Sequence, residues 1–270
     1  MTRPHDTWLR PLTSPRTPDL TVICLPHAGG ASSYFRRWIP VTPERVELLG
    51  VQYPGREDRI SEPVPGTVAA LAGEVAAAVA SELRERPRPQ WALFGHSLGA
   101  AIAFEVTRLL ENQDLQPDRL IVSARHAPHI RRASTLHLAS DDQIVADLRR
   151  LGGTASPVLD DPEIRSLLLP TIRADYQLAE TYQPSALEPG TAPSEACIPM
   201  IETPVTAIVG DRDSEASPAD GRQWAAVTRG LFEIRVLRGG HFYLAEDPRT
   251  AVSEITSTLA PELTNWPSTP

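Results

Sequence analysis

Gly95-His96-Ser97-Leu98-Gly99 sets a serine between two glycines at the end of an apolar run, an arrangement suited to nucleophilic catalysis. Trp91-Ala92-Leu93-Phe94 before it has the character of a buried strand, and the stretch from Ala100 to Leu110 has helical periodicity with almost no breakers. A Gly-x-Ser-x-Gly turn between strand and helix pushes the serine Oγ out of the sheet as an exposed nucleophile. A Cβ at Gly95 or Gly99 would collide with the neighbouring strand or helix, so both positions need glycine. A five-residue match arises easily by chance; the strand and helix on either side give this one its weight.

A serine hydroxyl becomes a good nucleophile when an imidazole takes its proton, and that imidazole needs a carboxylate to fix its tautomer. With the serine in a strand-to-helix turn, the acid and then the histidine are expected later in the chain. His241 is the only histidine beyond His137, and it lies in the Gly-rich loop Arg238-Gly239-Gly240-His241-Phe242. The acid is expected in Gly210-Asp211-Arg212-Asp213. Asp211 is placed to cap the turn through its own backbone, which favours Asp213 without deciding the matter. Two N–H donors must receive the oxyanion. One is the amide of Leu98, at the helix start where the dipole favours negative charge. The other belongs to Pro26-His27-Ala28-Gly29-Gly30 and is assigned to Ala28, with Gly29 as the fallback.

His27, Gly29, His126, Tyr176 and Phe242 are the expected substrate contacts. His126 stands with Arg125 and His129 beyond the strand ending near Ser123, at the strand ends where such sheets bind ligands. His96 is expected to be structural. No dinucleotide or phosphate loop is present, and no His, Glu or Asp cluster has metal spacing, so neither a cofactor nor a metal is expected.

The elements that must position these residues alternate. Leu20–Leu25, Val46–Val51, the run ending at Phe94, Arg119–Ser123, Val205–Val209 and Phe232–Leu237 read as strands, with helices at Thr67–Arg86, after Ser97, from Ser217-Pro218 and after Asp247-Pro248. A short helix from Ser32 to Trp38 is expected to be broken by Pro40 and Pro43. This order predicts an α/β fold with a mostly parallel central sheet and helices on both faces. Between residues 128 and 204 the alternation stops. Ser140-Asp141-Asp142-Gln143 forms a capping box, Gly152-Gly153 ends its helix, Asp161-Pro162 starts another, and Pro170 to Tyr182 suggests a third. This segment reads as an inserted helical lid followed by a Pro-rich loop. The core is then 20–127 and 205–264, after an N-terminal extension of residues 1–19 and before a disordered tail at 265–270. Ile144, Leu148, Leu151, Leu167, Leu168, Ile172, Tyr176 and Leu178 are the lid's apolar positions.

The 270 residues suffice for one large core. All 26 Lys+Arg positions are arginine, and the net charge of −8 argues against binding to nucleic acid or to an anionic membrane. No run is long and apolar enough to span a membrane, and the first residues lack the apolar core of a signal peptide. Cys24 falls in a buried strand and Cys197 in a Pro-rich loop, so no disulfide framework is expected. A cytoplasmic monomer is the expectation.

The motifs extend beyond the elbow. Leu25-Pro26-His27-Ala28-Gly29-Gly30, Tyr53-Pro54-Gly55-Arg56-Glu57, Phe94-Gly95-His96-Ser97-Leu98-Gly99-Ala100, Ser123-Ala124-Arg125-His126-Ala127-Pro128, the run Leu169 to Tyr176 and Gly239-Gly240-His241-Phe242 together span residues 20 to 250. In these the chain resembles the type II thioesterases that accompany polyketide and non-ribosomal peptide synthetases. The resemblance implies an α/β-hydrolase fold, with Ser97, Asp213 and His241 as the triad. It also implies transient binding to an acyl or peptidyl carrier protein, whose phosphopantetheine arm the substrate brings with it. Two features depart from the family: a long Glu188–Met200 stretch, and Ala-Arg-His-Ala-Pro where Gly-Arg-Arg-Ala-Pro is frequent. The same scaffold also serves esterases and lipases, acyltransferases or cyclases, and carrier-binding modules without catalysis. Arg125, Arg131, Arg132, Arg149 and Arg150 are candidates for a basic docking patch.

Overall fold

The computed structural model describes residues 7–152, 158–184 and 200–259. Gly153, Cys197, most of the Pro-rich loop and the tail lie outside these residues. A seven-stranded sheet runs through the molecule in the order β1-β3-β2-β4-β5-β6-β7. The strands are β1 Leu9–Pro11, β2 Leu20–Leu25, β3 Val46–Val51, β4 Trp91–His96, β5 Arg119–Ser123, β6 Val205–Gly210 and β7 Phe232–Leu237. All neighbours pair in parallel except β1, which runs antiparallel to β3. Residues 9–11, taken from sequence as part of an extension, therefore form the sheet's edge. Three residues ending in a proline are too short to show an alternating pattern.

The helices are α1 Val68–Glu85, α2 Leu98–Glu111, α3 Asp141–Leu151, α4 Pro162–Thr181, α5 Pro218–Arg222, α6 Tyr243–Glu246 and α7 Pro248–Ser257. Strands β2, β3, β4 and β6 are buried along their whole length, as expected where helices cover both faces. On one face α1 and α2 close a core around Leu71, Val75, Ile102 and Phe104. On the other, a 3₁₀ segment at Ser32–Val41 and helix α7 close a second around Phe35, Trp38 and Phe94. The outer strand β7 is only half-buried, and Arg235, paired with Glu233 at 2.9 Å, puts charge along that edge.

Between β5 and β6 the described residues contain helices and no strand, with their own core of Ile144, Val145, Leu148, Leu159, Leu169, Ile172 and Tyr176. Ser140 caps α3 with the expected box, its N–H donating to Gln143 Oε1 at 2.9 Å, and Gly152 ends the helix at φ 78°. The two helices expected on either side of Pro170 are one helix, α4, which runs through the proline. A proline removes one helical hydrogen bond, but Leu169 before it and Ile172 and Tyr176 after it bury in the same cluster, which holds the two halves in line.

Candidate active site

Strand β4 delivers its chain to Ser97 at φ 54° and ψ −115°, a conformation that non-glycine residues rarely adopt. The turn is locked by its neighbours. A Cβ on Gly95 would stand 2.2 Å from the Gly99 carbonyl oxygen, and one on Gly99 would stand 2.2 Å from that of Leu25. The Ser97 N–H donates to the Ser123 carbonyl at 2.8 Å, fixing the turn to β5. Leu98 opens α2, so its N–H is one of the first-turn donors with no acceptor inside the helix.

The loops after β6 and β7 meet backbone to backbone. A Cβ on Gly210 would lie 2.6 Å from the carbonyl oxygens of Gly239 and Gly240, so only glycine permits this approach. Across that contact, His241 Nδ1 stands 3.0 Å from both carboxylate oxygens of Asp213, and both residues are buried. Asp213 Oδ1 also accepts the Glu215 N–H at 2.8 Å, which orients the carboxylate. Asp211 does not cap its own turn as expected; its Oδ1 accepts the Gly239 N–H at 2.8 Å, in the other loop. That bond holds the Asp211 carboxyl below its ordinary pKa. The two aspartates thus have separate tasks, one facing the imidazole and the other stitching the loops together.

Ser97 and His241 line one cavity of about 160 Å³, together with Ala28, His27, His126, Tyr176 and Phe242. Gly29, expected to touch substrate, does not line it. Its N–H donates to Asp175 Oδ2 at 2.7 Å, and Ile172 Cγ1 packs where a Cβ would stand. The fallback oxyanion donor is therefore occupied, which leaves the Ala28 amide as the candidate from that loop. Of the apolar positions named for the insertion from sequence, Leu148, Leu151 and Tyr176 reach the cavity, joined there by Leu136 and Ala179. The others named from sequence serve chiefly to pack, and Leu167 is 59% exposed.

Two imidazoles on the cavity wall, His27 and His126, are kept neutral. Burial, followed by the influence of His241 and of the Arg56 and Arg37 charges, lowers the His27 pKa to about 3. Burial and the Arg125 charge lower that of His126 to about 4. His96 is structural: its Nδ1 lies 2.8 Å from Ser123 Oγ, which in turn lies 2.6 Å from the Tyr243 hydroxyl. Burial holds the His96 pKa well below the ordinary histidine value.

Several lining residues escaped the sequence. Asp147, Glu180 and Glu215 border the cavity and carry partners from distant segments. Tyr176 donates to Asp147 Oδ2 at 2.8 Å, Arg150 bridges Asp147 and Glu215 at 2.6 and 2.7 Å, and Glu180 pairs with His137. No spacing motif announces such pairs. They also revise the basic patch, since Arg132 is paired with Asp220, Arg149 with Asp160, and Arg150 as above. Among the described residues no His, Cys, Asp and Glu cluster could hold a metal, and no helix is long and apolar enough to cross a membrane.

The strand order, the strained serine turn and the insertion after β5 belong to the α/β-hydrolase fold. Residues 20–259 match the thioesterase domain model, and the chain belongs to that family. Thioesterase PikA5 of Streptomyces venezuelae is 39% identical over 260 residues, covering 93% of this chain and 85% of the relative. Gramicidin S biosynthesis protein GrsT of Aneurinibacillus migulanus is 34% identical over 250 residues, covering 90% and 92%. Among solved structures, the type II thioesterase BorB of the borrelidin cluster superposes with a TM-score of 0.79 at 38% identity, covering 93% of this chain and 97% of the other. The type II thioesterase YbtT of the yersiniabactin pathway gives 0.79 at 31% identity, covering 96% and 100%.

Proposed function

We propose that the protein is a discrete serine thioesterase that releases acyl groups from the phosphopantetheine thiol of carrier proteins in polyketide or non-ribosomal peptide biosynthesis. The observation that carries this reading is the meeting of Ser97, on its strained turn, with the His241–Asp213 pair at one cavity. Family membership supports the thioester as the bond cleaved.

In this mechanism Ser97 Oγ attacks the thioester carbonyl while His241 Nε2 takes the hydroxyl proton. Asp213 holds the tautomer that leaves Nε2 free and stabilises the imidazolium that forms. The amides of Leu98 and Ala28 receive the negative charge on the acyl oxygen. The C–S bond breaks, the pantetheine thiolate recovers the proton from His241, and an acyl-serine remains. Water, giving its proton to the same histidine, attacks that ester; the C–O bond to Ser97 breaks and free acid leaves. No cofactor takes part, since the substrate brings the phosphopantetheine. The encounter with the carrier is transient and the enzyme acts as a monomer. The 160 Å³ of the cavity suits an acyl group of about six carbons, since an apolar cavity of similar size accepts benzene.

The test loads a carrier protein with acyl groups from acetyl to tetradecanoyl and follows release by intact-protein mass spectrometry, with Ser97→Ala alongside. Wild type is expected to release free acid, fastest from acetyl to hexanoyl, and Ser97→Ala to fall by about 10⁶, as when a serine nucleophile is removed elsewhere. Equal release by both proteins would overturn the catalytic reading. Equal rates on simple oxygen esters would favour a general esterase, and transfer to an amine or alcohol would favour an acyltransferase.

A further inference from the structure

Helix α4 of the insertion is joined to the loop carrying Ala28 by a buried ion pair that the mechanism above does not use. Asp175 is 0% exposed and Arg56 4%. Arg56 Nη1 and Nη2 donate to Asp175 Oδ2 and Oδ1 at 3.0 and 2.9 Å. Each partner also grips the loop after β2. Asp175 Oδ2 accepts the Gly29 N–H at 2.7 Å, and Arg56 Nη1 donates to the Gly30 carbonyl at 3.1 Å. Consecutive residues of the loop are thus held by the two ends of one ion pair. Gly29 has φ 74°, so the loop turns there just after Ala28. The same helix is tied to the loop of Arg56, where Thr171 Oγ1 donates to the Gly55 carbonyl at 2.7 Å.

An ion pair that only fastened helix to core would not need to spend a carboxylate oxygen on a loop amide. This one draws the Gly29 N–H away from the cavity and leaves Ala28 on the cavity wall. We propose that Asp175 and Arg56 are positioning residues that set the direction of the Ala28 amide. They thereby set the rate of the step in which charge develops on the acyl oxygen. The proposal rests on the assignment of Ala28 as an oxyanion donor.

The test compares wild type with Asp175→Asn, Arg56→Lys, Thr171→Val and Ser97→Ala on one acyl-carrier thioester, at a temperature well below each Tm. Steady-state kinetics are read beside the affinity for an acyl trifluoromethyl ketone, whose adduct with Ser97 places an oxyanion between the two amides. Asp175→Asn keeps an acceptor for Gly29 but turns an amide towards Arg56. It should lower kcat by about 10² with KM within about threefold, and weaken the ketone in proportion. Arg56→Lys keeps the charge, loses the fork and should lower kcat by about tenfold. Thr171→Val, on the same helix but not touching the Ala28 loop, should stay within about threefold of wild type.

If Ser97→Ala keeps wild-type activity, the proposed function itself fails. With Ser97→Ala inactive, three results would overturn the positioning role alone: unchanged kcat in both charge variants, a loss confined to KM, or an equal loss in Thr171→Val. Should Asp175→Asn fail to fold, Arg56→Lys decides on the same criteria.

Discussion

On the sheet side of the cavity close backbone packing sets the loops that carry Ser97, Asp213 and His241, whereas the insertion side is assembled by contacts between charged and polar side chains. Gly95 and Gly99 fix the Ser97 turn, and Gly210 fixes the meeting of the Asp213 and His241 loops, each through a backbone approach that leaves no room for a Cβ. Opposite, α3 and α4 are joined to each other and to the core by Tyr176–Asp147, Arg150–Glu215 and His137–Glu180. A wall made of close backbone contacts has one geometry and accepts almost no substitution. A half-exposed ion pair such as Arg150–Glu215 contributes about 0–1 kcal/mol, so the wall it helps build can be altered one contact at a time. Ser97 and His241 are therefore fixed by backbone packing while the acyl space is adjustable.

Glycine substitutions on the two sides break this comparison most sharply. Gly99→Ala places a Cβ 2.2 Å from the Leu25 carbonyl oxygen and should cost more than about 4 kcal/mol, enough to lose folded protein. Gly152→Ala, at φ 78° but with nothing within 4 Å, should cost only about 1 kcal/mol. Thermal unfolding measures both, and a similar Tm for the two would refute the division. Next in size is Asp213→Asn, expected to lower kcat by about 10⁴ through the wrong imidazole tautomer. Asp211→Asn can still accept the Gly239 N–H and should stay within about tenfold of wild type. A reversal of that order, read by carrier deacylation, would exchange their roles.

The same division decided what the sequence could reveal. The elbow, its glycines and the late Gly-rich histidine loop were legible because a backbone that must approach closely demands glycine at set spacings. Most strands of the sheet were legible for a similar reason: buried parallel strands read as continuous apolar runs. Asp213 was narrowed to two candidates by turn chemistry and chosen by family resemblance; only geometry shows Asp211 reaching across to Gly239. Arg56 with Asp175, and Arg150 with Glu215, lie far apart in the chain, and no local pattern marks them as partners. The continuity of α4 through Pro170 was hidden too, because local propensity argues for a break that tertiary packing overrides.

A smaller effect sharpens the comparison through pH. His27 and His126 titrate in the folded protein near 3 and 4, lowered first by burial, and His96 also well below 6.5. Between those values and 6.5 the unfolded chain binds more protons than the folded one, so stability is full above 6.5 and falls as pH drops. Glu180 is lowered as well: burial raises its pKa, but hydrogen bonds from Ser134 and His137 hold it below its ordinary 4.5. Its contribution is present above 4.5 and is lost only as pH falls through the lower folded value. Tm should therefore decline between 6.5 and 4.5 because of the histidines, before that insertion-side pair weakens. His126→Asn should flatten the decline over this window; an unchanged slope would remove His126 from the account.

The smallest expected effect is the most direct probe of the adjustable wall. Tyr176→Phe removes the hydroxyl that donates to Asp147 Oδ2 at 2.8 Å but leaves the buried ring in place. Asp147 keeps Arg150 at 2.6 Å, so the carboxylate is not abandoned. The loss should be about 1 kcal/mol, or roughly 2–4 °C in Tm. Because Tyr176 lines the cavity from α4, its contact with α3 sets the spacing of the two helices where the acyl group lies. Loosening that contact should shift the preferred acyl length upward while kcat for the acetyl substrate stays within about twofold. Competition between acyl-carrier substrates in one mixture reads the preference directly. A large fall in kcat with unaltered length preference would mean that the Tyr176–Asp147 contact governs the chemical step rather than the acyl space.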